Sequence, residues 1–450
     1  MQCRKAVGPT WGLSPQTSKW IYTAVIRPIL SYGSTIWAKA LKIQSNQQKL
    51  ANVQRLALLI ATGAMPTTPT ITLNRLTNIP HIIDYLEGEA AMGALRLKAY
   101  GDWTTDTLQG LTGTIKPHTN INKSYIDKLK IPTNNLDLTK PKFTLDRNYN
   151  IITPNKDNYD TLHNPDNHND NQIICYTDGS KTSDGTGFGY LTTNDNNIIN
   201  HSDSHKLPDW CTVFQAEATA ITTAAKHLNE THTNNKNITF YTDSQATIHA
   251  LSTTFNKSIT IDRCHRALSE LADSNKVNIA WIRGHAGHWG NENADKLAKK
   301  GAMEGIATDG TIPTAHVKNI IKNHIKTEQD KTWHKTAPRH SRLMIRDKHI
   351  KTLQNMNRTK TRTAIQILSG HSQLNYTLNK MTKATTSDCP SCGDREETIT
   401  HLLTVCPAYA RQRGDYFQDY YISLSDIIDN FPIDHIVKYV NHTNRLTTNT

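Results

Sequence analysis

The stretch between Gln172 and Ala302 leaves the chain the fewest choices. Ile173–Thr177 reads as a short strand ending at Asp178-Gly179, with Gly185–Thr193 and Ile198–Lys206 as antiparallel partners. Thr212–Leu228 is an amphipathic helix with Val213, Ala220, Ile221, Ala224 and Leu228 on its buried side. A second buried strand at Ile238–Thr242 and a short helix at Ser244–Leu251 follow. A helix at Asp262–Ala272, a strand at Val277–Ile282 and a helix at Asn291–Ala302 complete the unit. A meander followed by alternating helices and strands, over about 130 residues, predicts one compact α/β domain with a mixed sheet and flanking helices.

Four acids and a histidine stand out in this unit. Asp178 closes the first strand in YTDGS, and Asp243 closes the next core strand in YTDS. Glu217 lies on the first helix in FQAEATA, and Asp295 sits in the first turns of the last helix in NENADKLA. Adjacent central strands would set Asp178 and Asp243 side by side at one sheet end, where the two helices could add Glu217 and Asp295. Each acid alone has a structural reading: a turn for Asp-Gly, a helix cap for Asp-Ser, a helix-dipole partner for Asp295. Glu217 resists that reading because its helix face is otherwise apolar. Four carboxylates converging in a poorly solvated site repel one another, and divalent cations make the arrangement tolerable. Hard oxygen ligands with open positions suit Mg²⁺, with Mn²⁺ as the alternative. Two such ions about 4 Å apart would clamp the attacking and leaving oxygens of a phosphodiester. His285, in the Gly-rich loop RGHAGHWGN, could assist proton transfer or product release.

The order YTDGS, GTGFGY, QAEATAI, YTDSQA and WIRGHAGHWGNENADKLAKKGA resembles type 1 ribonuclease H over Ile173–Ala302. The resemblance implies a ribonuclease H-like fold and Mg²⁺-dependent, two-metal hydrolysis of the RNA strand of RNA–DNA hybrids. It assigns metal binding to Asp178, Glu217, Asp243 and Asp295, and a mobile-loop role to His285. Some stand-alone members carry an extra basic helix between the third carboxylate and the following strand. Here that interval holds only one ordinary helix, around CHRALSELADSNK, so substrate grip would depend on the flanks.

The flanks carry signals of their own. Before the α/β unit, Ser14-Pro15 caps a helix on which Trp20, Ile21, Ala24, Val25 and Ile29 recur, with Pro28 ending or kinking it. A second helix from about Ser45 sets Leu50, Val53, Ala57 and Ile60 on one face and stops near Gly63; a third spans about His81–Tyr100. IYTAVIRPILSYGSTIWA, TGAMPTTPTITL and GEAAMGALRL resemble the region after the polymerase core of non-LTR (LINE-type) retrotransposon proteins. In that family a reverse transcriptase, a ribonuclease H domain and a terminal CCHC finger follow in this order. The polymerase's paired-aspartate motif is absent, so polymerase activity is not expected, and the polymerase part of a full-length element becomes a partner. After the α/β unit, Cys389, Cys392, His401 and Cys406 have the spacing of a closed tetrahedral site for structural Zn²⁺. Cys3, Cys175, Cys211 and Cys264 are scattered and read as packing residues.

The reading is therefore a helical region at 1–101, a polar linker at 102–171, a ribonuclease H domain at 172–303, a basic helical segment at 304–384 and a CCHC zinc-binding tail at 385–450. The expected protein is a retrotransposon-derived endoribonuclease acting on RNA–DNA hybrids; the alternative is a catalytically silent nucleic-acid-binding remnant. Seven cysteines in 450 residues do not make a disulfide scaffold, and no run approaches signal-peptide or membrane-span length. A reducing intracellular compartment, nucleus or cytoplasm, with no secretion and no membrane partner, is expected. The net charge of +12 concentrates in Thr311–Ile365, with 13 Lys/Arg against 3 acids, which leaves the rest near neutral and suggests a polyanion for this segment.

Overall fold

The fold was established from a computed structural model, in which residues 7–8, 11–102, 125–152, 171–194, 196–305, 307–393 and 396–446 are described. Cys3 and much of the linker, 103–124 and 153–170, lie outside these residues. The chain divides into two compact units. The described residues of Met1–Gly93, Leu111–Leu129 and Ile321–Thr450 form a helical unit, and those of Ala94–Gly110 and Lys130–Ile320 form a sheet unit.

The amino-terminal helices are α1 (Pro15–Ile21), α2 (Arg27–Ser31), α3 (Ser34–Trp37), α4 (Gln44–Thr62), α5 (Thr70–Thr77) and α6 (Ile82–Ala99). Ser14 caps α1 by accepting the Thr17 N–H at 3.0 Å, and Gly63, at φ 64°, closes α4 in the left-handed conformation. Pro28 neither ends nor breaks the helical run. A π-helical turn at Tyr22–Ile26 leads directly into α2, and Pro28 sits in the first turn after it, so the change in hydrogen-bond pattern falls where the proline lacks its N–H. The predicted apolar faces are only partly buried: Trp20, Val25, Ile29 and Val53 are exposed, while Tyr22 and Leu58 are buried.

The sheet unit holds β1 (Lys142–Phe143), β2 (Asn150–Ile152), β3 (Gln172–Thr182), β4 (Gly185–Thr193), β5 (Ile199–Leu207), helix α7 (Val213–Glu230), β6 (Asn237–Thr242), α8 (Gln245–Ser252), β7 (Phe255–Asn256), α9 (Ile259–Ala272), β8 (Lys276–Trp281) and α10 (Trp289–Glu304). Six strands form one sheet in the order β2-β8-β6-β3-β4-β5. β3, β4 and β5 pair antiparallel, whereas β3, β6, β8 and β2 run parallel. β2 falls in the stretch read as an irregular linker. Its three residues are too few to show alternation, and pairing with β8 alone makes them a strand.

Two helices cover opposite faces of the sheet centre. Phe188 of β4 packs on Ala216 and Ala220 of α7. The alternate residues Gly187 and Gly189 point the other way, where any Cβ would strike the α10 backbone. The GTGFGY pattern is thus a close-packing device for α10. The α7 side buries Ile221, Ala224, Phe240, Leu268 and Ile279 in one core.

The chain continues through α11 (Thr314–Thr336), α12 (Arg339–Met344), α13 (Asp347–Leu353), α14 (Arg358–Ser369), α15 (Asn375–Lys380), α16 (Ile399–Thr404), α17 (Ala410–Phe417), α18 (Leu424–Asn430) and α19 (Ile433–His442). Trp333, Met344, Ile365, Leu402, Ile436 and Tyr439 share the helical unit's main core. Among the described residues no helix is long and apolar enough to cross a membrane.

Candidate functional site

Strand register brings the first two acids together. Tyr176 and Tyr241 are paired in the parallel β3–β6 ladder and their rings stack at 5.5 Å. Asp178 and Asp243 each lie two residues further on, so they leave the ladder on the same face and at the same level. Asp178 does not end its strand: β3 runs on to Thr182, and Asp178 pairs with Gly189 of β4. The Asp-Gly pair is therefore no turn. Gly179 serves close approach instead, since a Cβ there would lie 2.5 Å from the Glu217 backbone nitrogen. That approach sets α7 across the strand and brings Glu217 in.

Asp178, Glu217 and Asp243 each offer an oxygen within 4.8 Å of the others, and Asp178 and Glu217 are buried. Burial, then the Asp243 and Asp295 charges, push the Asp178 pKa up to about 8, against partial relief from the Gly179 N–H and Lys299. Burial, then Asp178 and Asp243, hold Glu217 well above the usual carboxylate range. Thr242 Oγ1 donates to Glu217 Oε2 at 3.4 Å, and Trp281 Nε1 holds the Asp243 carbonyl at 3.0 Å. These acids cannot all ionise comfortably without cations, and a hard oxygen donor set with this much unbalanced charge fits divalent ions such as Mg²⁺.

Asp295 stands outside the triad. Its Oδ2 accepts from Lys299 Nζ at 2.6 Å, one turn along α10, although its charge still reaches Asp178. The i, i+4 pairing is visible in NENADKLAKK and is the signal by which Lys299 could have been found. His285 is exposed in the loop between β8 and α10, with φ at 54°. Its neighbour Gly284 packs against the triad: a Cβ there would lie 2.5 Å from Asp243 Oδ2.

The second cluster lies in the helical unit. Cys389, Cys392, His401 and Cys406 each offer a ligand atom within 4.8 Å of the others. Cys389 Sγ and Cys406 Sγ are 3.9 Å apart, and Cys392 Sγ lies 3.3 Å from His401 Nε2. Zinc–sulfur bonds of about 2.3 Å in a tetrahedron give sulfur–sulfur edges of about 3.8 Å, so the spacing and the soft donor set fit Zn²⁺. Thr398 caps α16 and thereby fixes His401, whose N–H it accepts at 3.1 Å. Cys175, Cys211 and Cys264 are fully buried in the sheet unit, as packing residues should be.

Residues 170–303 match the RNase H family model. A ribonuclease H of Ralstonia nicotianae is 40% identical over 73 residues, 14% of this chain and 48% of that protein. A ribonuclease H of Pseudomonas fluorescens is 51% identical over 39 residues, 9% of this chain and 26% of that protein. The matches thus span half or less of the length of these curated relatives. The crystal structure of RNase H1 from Halobacterium salinarum aligns with 29% of this chain and 96% of its own, at 19% identity and a TM-score of 0.25. Residues 170–303 are a domain of the RNase H family.

Proposed function

We propose that the sheet unit hydrolyses the RNA strand of RNA–DNA hybrids with the help of divalent cations. The observation that carries this reading is the Asp178–Glu217–Asp243 triad, two of its acids buried, gathered where β6 ends beside the middle of β3 in an RNase H family domain. Asp178, Glu217 and Asp243 would hold the cations, with Asp295 completing the set on release from Lys299. Bound Mg²⁺ supplies charge neutralisation at the scissile phosphate and activation of water. The chain's own contribution is positional. The Tyr176–Tyr241 register fixes the two aspartates, Thr242 orients Glu217, Trp281 anchors Asp243, and His285 is stationed on a loop beside Asp243 to move protons or help product leave. The test is cleavage of an end-labelled RNA–DNA duplex by purified protein. RNA fragments appearing with Mg²⁺ or Mn²⁺ and vanishing with chelator support the reading. Hybrid binding without any cleavage would replace it with a silent nucleic-acid-binding remnant.

The tail is proposed to bind one structural Zn²⁺ through Cys389, Cys392, His401 and Cys406, with no open position. About one zinc per chain in reduced wild-type protein, lost in Cys392→Ser, supports this; no zinc in the wild type refutes it. The succession of helical region, RNase H domain and Cys/His tail supports derivation from a non-LTR retrotransposon, with a polymerase part as partner.

A further inference from the structure

The sheet unit carries a second, smaller ladder. In it β1 pairs antiparallel with β7, setting Lys142 opposite Asn256 and Phe143 opposite Phe255. β1 lies outside residues 170–303, so a segment from beyond the RNase H family match is built onto that domain. The attachment is made by backbone groups. Thr139 donates its N–H to the Lys257 carbonyl at 2.8 Å, and Thr144 donates to the Thr254 carbonyl at 2.9 Å. Arg147 closes over the end of α8, donating to the Ser252 and Thr253 carbonyls. None of these bonds calls for a phenylalanine.

Side chains alternate across a strand. Asn256 is buried on one face of the ladder, while Phe143 and Phe255 stand on the other, 70% and 43% exposed. Their ring centroids are 5.3 Å apart, and Leu145, two residues on, is 77% exposed. Single exposed apolar residues are ordinary, but a contiguous group of them marks a contact surface. The charge around this group is positive. Residues 139–147 and 253–258 hold Lys140, Lys142, Arg147 and Lys257 against one acid, Asp146. Asp102 and Asp262 pair with Lys140 and Lys142. Lys257 is exposed, has no ion pair among the described residues, and places its Nζ 4.9 Å from the centre of the Phe255 ring. Ring faces for bases or sugars, beside a cation for phosphate, match nucleic acid better than an acidic or apolar protein surface. The position also suits the proposed chemistry. α8 is capped by Ser244, next to Asp243, and its 8 residues advance about 12 Å before β7 begins. Three or four base pairs, at about 3.4 Å each, cover that span.

We propose that the β1–β7 ladder is a grip for the RNA–DNA hybrid, with Phe143 and Phe255 against its bases or sugars and Lys257 against its phosphates. The identity of the ligand rests on the nuclease reading above. A segment outside the family domain thereby extends its substrate surface one helix length from the acids.

The full-length chain tests it as wild type, as the double variants Phe143→Ala/Phe255→Ala and Phe143→Tyr/Phe255→Tyr, and as Lys257→Gln. Cleavage gives KM and kcat; anisotropy of a labelled hybrid across a salt series gives affinity, in an Asp178→Asn background where cleavage is slow. The alanine pair should raise KM and Kd about 10-fold, as expected for lost stacking, with kcat near wild type. Its slope of log K against log salt should not change, because no charge is removed, and the tyrosine pair should recover the affinity. Lys257→Gln should lower that slope by about 0.7–0.9. Melting should hold in all variants, since the ladder is fastened by backbone. A wild type that cleaves, with wild-type KM and affinity in the alanine pair, overturns the grip and leaves the nuclease reading standing. A wild type that binds hybrid without cleaving it overturns the nuclease reading, and the affinity arm then decides the grip alone: a 10-fold loss supports it and no loss overturns it. A wild-type dimer that the alanine pair converts to a monomer, at equal hybrid affinity, also overturns the grip and assigns the patch to a second copy of the chain. If the alanine pair does not fold, Phe143→Leu/Phe255→Leu replaces it, and leucine must lose affinity where tyrosine does not.

Discussion

Asp178 and Asp243 meet because Tyr176 and Tyr241 are in register, so a change at either acid should affect the chemistry and spare the fold. Asp178→Asn or Asp243→Asn should lower hybrid cleavage by at least about 10²-fold, with an unchanged circular dichroism spectrum, because each would remove an anionic ligand of the proposed cation site. Full activity in either variant would refute the assignment. His285→Ala should slow turnover without abolishing it. Gly284→Ala is a sharper probe, since the added methyl would lie 2.5 Å from Asp243 Oδ2 and must displace that carboxylate. Displacement by about 1 Å is expected to cost about 10²-fold in kcat, with the melting temperature within a few degrees of wild type. The aspartate pair was legible as two strand ends in YTDGS and YTDS. The continuation of β3 past Asp178 and the hold of Lys299 on Asp295 were not, because both depend on which neighbour the backbone or side chain meets in space.

Local patterning read the elements of the sheet unit well, since the longer strands and helices there carry their own periodicity and three of the helices their own caps. Thr212, Ser244 and Ser258 each cap the helix that follows. Segments stabilised only from outside escaped, β2 above all. Residues 147–149, just before that strand, tie to two helices. Arg147 donates to the Ser252 carbonyl at the end of α8, Asn148 donates to the Ser269 carbonyl of α9, and the Tyr149 hydroxyl pairs with His265 Nδ1. His265 Nε2 is buried without a partner. Burial, then Arg147, depress the His265 pKa from 6.5 to about 4. The sign follows directly. The unfolded chain takes up a proton that the folded one refuses, so stability is intact above about pH 6.5 and falls as pH drops towards 4. One such proton corresponds to a slope approaching about 1.4 kcal/mol per pH unit. Thermal melts of the wild type and His265→Gln across pH 4–6.5, in saturating Mg²⁺, should show a shallower decline for the variant. Parallel curves would mean that His265 titrates normally.

At the scale of the molecule, charge is distributed in more than one block. The first 83 residues carry nine Lys/Arg and no Asp or Glu, so the surplus in Thr311–Ile365 is not the only basic block, and acids elsewhere offset both. Nor is that segment a free tail. Trp333, Met344, Leu353 and Ile365 belong to the helical core, and Arg358 is buried with bonds to the Leu13 and Ile60 carbonyls. Deleting the segment would therefore unfold what it is meant to test. Lys318, Lys322 and Lys326 give a cleaner handle. They are exposed on α11 at i, i+4 and i+8, with no ion pair among the described residues, in a row rising about 6 Å per step. Such a row can follow a phosphate backbone without reading its sequence. Each phosphate contact contributes about 0.7–0.9 to the slope of log K against log salt. Replacing all three lysines with glutamine should therefore lower the slope for hybrid binding by about 2–3, lower affinity equally for unrelated sequences, and leave melting unchanged. An unaltered slope would mean that these lysines face only solvent and that hybrid affinity comes from elsewhere in the chain.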